Sequence, residues 1–213
     1  MTAVLEAPPN VSPVIVNDGS GIYYPKFPAG ISLQLGALSI VLGLLSAAKA
    51  ELFDPAATGI VIPVAFSVGS LAIFAGGLLN FRAGIMIAGV IGCLYGAFWL
   101  SAGILLQFTA GGLVKAAGAG GFGDAFGTYL FIWGVMSLGL CVPLIWVSKV
   151  ILTQQALLAL VFFALSFGAF ASNGTGWNKT GGWLGIIDAL LCFYVAITLV
   201  TNETAGRTVL PLP

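Results

Sequence analysis

The chain has 213 residues, of which 59% are hydrophobic and 7% charged, with seven basic and seven acidic side chains and no histidine. A soluble domain carries about 45–50% apolar and about 25% charged residues, so this composition, with a mean hydropathy of +1.09, is written for lipid. A formal charge of zero leaves no basic field for nucleic acid. Without histidine there is no histidine metal site, general base or pH switch, and no metal or other cofactor is expected.

The first 25 residues, MTAVLEAPPNVSPVIVNDGSGIYYP, lack a basic start and a continuous apolar core. They read as a soluble, extended tail over 1–26 rather than a signal peptide, with Tyr23 and Tyr24 placed for the interface. Crossing the hydrocarbon takes about 20 apolar residues. Six segments qualify, at about 28–48, 57–79, 84–108, 125–148, 152–172 and 183–202, within a transmembrane domain over 27–204 followed by a short tail over 205–213. The expected fold is therefore all-α, a polytopic membrane protein of six transmembrane helices.

The breaks fall at Lys49–Pro55, Asn80–Arg82, the glycine-rich Thr109–Gly123, Ser148–Lys149 and Ser172–Gly182, and none could hold a folded domain. An even number of spans puts both termini on one side. Lys26, Arg82, Lys149 and Arg207 on that side, against Lys49, Lys115 and Lys179 on the other, lean toward cytoplasmic termini.

In the first span Ser32, Gly36, Ser39, Gly43 and Ser46 share one face, a mildly polar stripe that suits either helix contact or a pore wall. Pro63 and Pro143 each remove a backbone donor and are expected to kink the second and fourth spans. In the third, Gly84, Ala88, Gly92 and Gly96 form a small-residue ladder for close helix approach. Trp146, Trp177 and Trp183 read as interface anchors, and Cys93, Cys141 and Cys192, without C-x-x-C spacing, as small buried hydrophobes.

Asp188, five residues beyond Trp183, is the one clearly intramembrane acid. It either snorkels or is held by hydroxyls of a neighbouring helix, or it titrates while facing a passage or a subunit interface. No nucleophile motif, P-loop or metalloprotease signature is present, so an enzyme is not expected.

Several islands in order resemble the acetate uptake transporter family, which includes bacterial succinate-acetate permeases and fungal acetate and ammonium exporters. They are Ile73-Phe74-Ala75-Gly76, Tyr95-Gly96-Ala97-Phe98-Trp99-Leu100, Tyr129 through Trp133-Gly134-Val135, Val161-Phe162-Phe163-Ala164-Leu165, Gly182-Trp183-Leu184-Gly185, and the closing Asn202 through Gly206-Arg207-Thr208-Val209-Leu210-Pro211. The family's entrance signature N-P-A-P-L-G-L is represented by Phe27-Pro28-Ala29-Gly30-Ile31-Ser32-Leu33, which lacks the asparagine and the second proline. Asn80 stands where members tend to carry Glu, and Ile85 where they tend to carry Asn.

The resemblance implies a homohexamer of six-helix protomers in a bacterial inner or plasma membrane, with a separate path for small carboxylates through each protomer. It also implies a hydrophobic constriction whose positions fall on Tyr95, Leu165 and Gly36, with Ser32 and Ser39 as pore-lining candidates and Phe27, Pro28 and Ala29 at the entrance. The function expected is a permease or channel for small monocarboxylates such as acetate, moving the acid or the anion with a proton. The alternatives are a transporter of another small solute such as ammonia, and a non-transporting membrane subunit anchoring a larger complex.

Overall fold

A computed structural model of the protein describes residues 29–110, 119–171 and 173–212. The expected tail over 1–26, with Phe27 and Pro28, and residues 111–118 of the glycine-rich connection lie outside the described residues. Six helical stretches are long and apolar enough to cross a membrane: Gly30–Lys49, Ala57–Arg82, Met86–Thr109, Phe122–Leu144, Lys149–Phe170 and Thr175–Ala205. Their helices are α1 (Ala29–Lys49), α2 (Val61–Val64) and α3 (Ile73–Arg82) within the second span, α4 (Met86–Ala110), α5 (Ala119–Leu144), α6 (Lys149–Phe170) and α7 (Thr175–Ala205). In lipid every backbone polar group must be satisfied within the segment, which is why six continuous helical spans carry the whole described fold.

The spans form a ring. α1 packs on α7, α7 on α6 and α6 on α5; in the other direction α1 packs on the second span and that span on α4, while α4 and α5 hardly approach each other. Since the spans alternate in direction, the start of α1 and the end of α7 share one face, and the end of α1 and the start of α7 share the other. Large apolar side chains such as Leu71, Ile132, Leu190 and Trp146 stay exposed on the outside, as a lipid-facing surface requires.

Several local expectations are corrected. Pro63 does not simply kink its span: a 3-10 turn over Pro55–Ile60 precedes it, and a π-helix over Ala65–Ala72 follows. The carbonyl of Pro63 accepts from the Ser67 hydroxyl at 2.8 Å. Pro143 lies inside α5, one residue before the helix closes at Leu144. Gly84 is not part of the helical ladder. Its φ of 79° makes it the left-handed turn residue after α3, with Ile85 N donating to Asn80 O and Gly84 N to Phe81 O.

The largest correction is at α7, which begins at Thr175 and not near 183, so Gly176–Gly182 are helical. Its 31 residues reach about 46 Å, well beyond a hydrocarbon core of about 30 Å, so the polar first turns project as a rim. The closing segment is tied back onto this helix. After Gly206, at φ 62°, Asn202 Oδ1 accepts from Val209 N and Leu210 N at 2.7 and 2.9 Å, and its Nδ2 donates to Leu210 O at 2.8 Å. Tyr194 donates its hydroxyl to Pro211 O at 2.5 Å.

Candidate functional site

Where the ring is loosest, between α4 and α5, aromatic rings fill the seam. Phe98 stands edge-on to Trp99, Trp133 and Phe162 at centroid distances of 5.3, 5.1 and 5.0 Å and is stacked on Tyr129 at 6.0 Å. The π-helix serves this arrangement: Gly69 sits against Trp99, where an added Cβ would lie 2.8 Å from the indole Cγ. Rings packed edge to face keep their faces apart. The cluster borders a cavity of about 250 Å³.

The cavity starts among helix ends on the face opposite the termini, at Lys49, Leu106, Gly123, Ala169 and Asn178, and descends to Tyr95 and Leu158. Its walls are mostly apolar, with the hydroxyls of Tyr95 and Tyr129, the indole N–H of Trp99, the amide of Asn178 and the amine of Lys49 as the polar side-chain groups of its lining residues. At the floor the Tyr95 hydroxyl meets Ser137 Oγ at 2.7 Å and accepts from Gln155 Nε2 at 2.5 Å, and the same amide donates to Ser137 O at 3.2 Å. Gln155 Oε1 has no partner among the described residues.

Tyr95 and Leu165 both line this cavity, but at different depths. Tyr95 meets α6 at Gln155, and Leu165 lies ten residues further along, about 15 Å nearer the mouth at about 1.5 Å per residue. Gly36, Ser32 and Ser39 are not among the lining residues. Gly36 faces α7, where an added Cβ would lie 3.8 Å from Ala196 Cβ, and the Ser39 hydroxyl is spent on Gly36 O at 2.7 Å. Leu38, Leu42 and Leu45 supply the α1 wall in their place.

Ala29 opens α1, close to where the chain departs from the entrance signature. Two of those departures face each other. An added Cβ on Gly30 would collide with Asn80 Oδ1 and lie 2.5 Å from Gly76 O, so the missing proline is what lets α1 approach α3. Asn80 is fully buried there, with both amide atoms unpartnered among the described residues.

Asp188 is fully buried, so it does not snorkel. Measured from Thr175 it lies about 20 Å along α7, near mid-span, and so deeper than its spacing from Trp183 suggests. Gln154 Nε2 donates to its Oδ2 at 3.4 Å and the Cys192 thiol to its Oδ1 at 4.0 Å. The glutamine doublet of α6 thus holds Asp188 with one member and the Tyr95 floor with the other.

Sequence reasoning passed over that doublet, although two adjacent amides inside an apolar span are costly and therefore informative. It also used Lys49 for topology alone. The ring of Phe98, Trp99 and Phe162 was visible as motif residues without a stated role.

The sequence matches the GPR1/FUN34/yaaH family over residues 20–212. The succinate-acetate/proton symporter SatP of Escherichia coli (strain K12) is 31% identical over 154 residues, covering 72% of this chain and 79% of that one. Ammonia transport outward protein 2 of Saccharomyces cerevisiae is 31% identical over 180 residues, covering 80% of this chain and 61% of that one. The solved structure of the bacterial acetate channel SatP superposes with a TM-score of 0.78 at 29% identity, over 88% of this chain and all of that one. With its six spans, its islands in order and a matching fold, the chain belongs to the GPR1/FUN34/yaaH family of integral membrane proteins, whose relatives here are transporters and channels rather than enzymes.

Proposed function

We propose that the protein is a permease or channel for small monocarboxylates such as acetate, with one path through each protomer and movement coupled to a proton. The observation that carries this reading is the cavity, which combines apolar walls, a cation at the mouth and a hydroxyl at the floor. An acetate-sized solute needs an apolar wall for its methyl group and one or two donors for its carboxyl group. At about 250 Å³ the space falls below the range of about 300–1,000 Å³ found for drug-sized ligands, which favours a small solute.

In this reading the Tyr95 floor is the point that must open for passage, because the lining ends there. Asp188, held behind that floor by Gln154, is the group that takes up the coupled proton. Protomers assemble into a homohexamer, with the exposed apolar outer faces meeting lipid and one another.

The experiment is uptake of labelled acetate, succinate and methylammonium into proteoliposomes, with and without an imposed pH gradient. Acetate uptake that rises with an inward proton gradient supports the reading. Uptake of methylammonium alone would move the assignment to an ammonia-like solute, and uptake of none would favour a non-transporting subunit.

A further inference from the structure

Lys49 occupies an unusual place for a lysine in so apolar a chain. It closes α1 and lines the cavity at its mouth, half-buried, rather than reaching away into solvent. Asn178, one of the other polar side chains of the lining, comes from the projecting first turns of α7. One turn further on, Gly182 brings α7 into backbone contact with this end of α1. An added Cβ there would lie 2.8 Å from Lys49 C and 2.5 Å from Ala50 N.

The acid nearest to Lys49 in sequence is held by another cation. Glu51, two residues on, takes the left-handed position after α1 with a φ of 58°, where a glycine is the usual occupant. Its carboxylate is engaged by Lys179 of α7 at 2.7 Å. That ion pair turns Glu51, the acid nearest to Lys49 in sequence, toward α7, and its partner cation neutralises it. A bland role for Lys49, favourable interaction with the carbonyl end of α1, explains a basic residue at this position. It does not explain a lysine that lines the cavity.

We propose that Lys49 collects the solute at the cavity mouth by pairing with its carboxylate, so that this face of the protein takes the monocarboxylate as the anion. The inference rests on the permease reading and deepens it by naming the form of the solute that enters. A cation set at the opening of a cleft with low-dielectric walls raises the local concentration of anions there. The apolar walls below Lys49 then receive the methyl end, and Asn178 can donate to the second carboxylate oxygen.

The test uses the full chain in proteoliposomes, with labelled acetate and labelled acetamide as its uncharged counterpart. Lys49→Gln raises the KM for acetate about three- to tenfold, leaves acetamide flux unchanged, and weakens the dependence of acetate KM on inert salt that screening of the charge at the mouth produces. Lys49→Arg keeps a low KM. Lys179→Gln frees Glu51 and also raises the acetate KM, and adding Glu51→Gln to that variant restores it. The lysine at 179 thus reports on the mouth even if variants at 49 insert poorly.

Acetate uptake by the unaltered chain with the same KM and the same salt dependence in Lys49→Gln overturns the inference and leaves the permease reading standing. No acetate uptake by the unaltered chain overturns both.

Discussion

The two ends of the bundle are closed by opposite means. Toward the face that holds the termini, α1, α3 and α4 touch backbone to backbone. An added Cβ on Gly76 would lie 2.7 Å from Gly30 O, one on Gly77 2.6 Å from Cys93 N, and one on Gly96 2.8 Å from Phe74 N. Gln34 threads this contact and donates to Ala88 O at 3.0 Å. Toward the other face α4 and α5 are held apart by Tyr95, Phe98, Tyr129 and Trp133, and the space between them is the cavity. Lipid offers no hydrophobic force to drive helices together, so residue size decides where they meet. Small residues make a dry seal, and rings that cannot interdigitate leave room.

The sharpest way to break this comparison is to put bulk into the sealed end. Gly92 has no space, since an added Cβ would overlap the Gln34 amide and lie 2.6 Å from Gly77 Cα. Gly92→Leu is expected to cost about 3 kcal/mol or more, at the upper end of overpacking, and to lower the melting temperature of the detergent-solubilised protein or prevent its recovery. Gly139→Leu is the control, because among the described residues nothing lies within 4 Å of an added Cβ there, on the outer side of α5. If both variants melt alike, the glycine seal is not what holds this half.

At the open end the expected effect is on selectivity. Tyr95→Ala removes the floor and relaxes discrimination against one extra methylene, worth about tenfold or more in a fitted pocket. The measurement is the ratio of propionate to acetate flux. Tyr95→Phe keeps the ring and loses one hydroxyl, with Gln155 Nε2 still bonded to Ser137 O at 3.2 Å, so about 1 kcal/mol of stability is at stake and the ratio moves little. An unchanged ratio in Tyr95→Ala would take the floor away from Tyr95.

The same contrast explains what could be read from the sequence. Span number and class were legible because apolar length has to match the bilayer. The glycine ladder was legible as close packing, and Gly92 and Gly96 do pack on the second span. Gly84 was misplaced because a turn glycine and a packing glycine look alike until φ is known. The start of α7 was missed because Ser172 to Gly182 is polar and glycine-rich, as loops are. Those turns are helical nonetheless, and they can be polar because the rim stands clear of hydrocarbon, with Gly181 and Gly182 there to admit Leu165 and the end of α1. The aromatic cavity needed three dimensions, since its rings come from three spans.

Between the two ends sits Asp188, and its charge offers a finer test. Among the described residues the groups near it are Gln154 from α6, Cys192 on its own helix and Tyr95 from α4, with Cys141 beyond Ser137, and none of these is a cation. An anion passing an ionised Asp188 is repelled, whereas the protonated side chain leaves it free to pass. Acetate flux at a fixed anion concentration should therefore fall as pH rises and Asp188 loses its proton. Asp188→Asn should flatten that fall while the protein still folds, because an amide keeps the contact to Gln154. A pH profile identical to that of the unaltered chain would leave Asp188 a purely structural residue.

The smallest effect belongs to the part of the α1–α7 seam around Gly36 and Gly43, which is looser than its backbone contact at Gly182. Here Gly36 and Gly43 face alanines of α7 at ordinary contact distances of 3.8 and 3.5 Å for an added Cβ, so neither is forced to be glycine. Gly36→Ala should then gain the helix preference of alanine, up to about 1 kcal/mol, with a slightly higher melting temperature. Because Gly36 looks toward Ala196 and not into the cavity, the ratio of propionate to acetate flux should not change. The resemblance places part of a constriction at this position. A drop in flux from so small an addition would mean that α1 turns its Gly36 face to the solute at some stage of transport, and that the path in the working protein differs from the cavity described above.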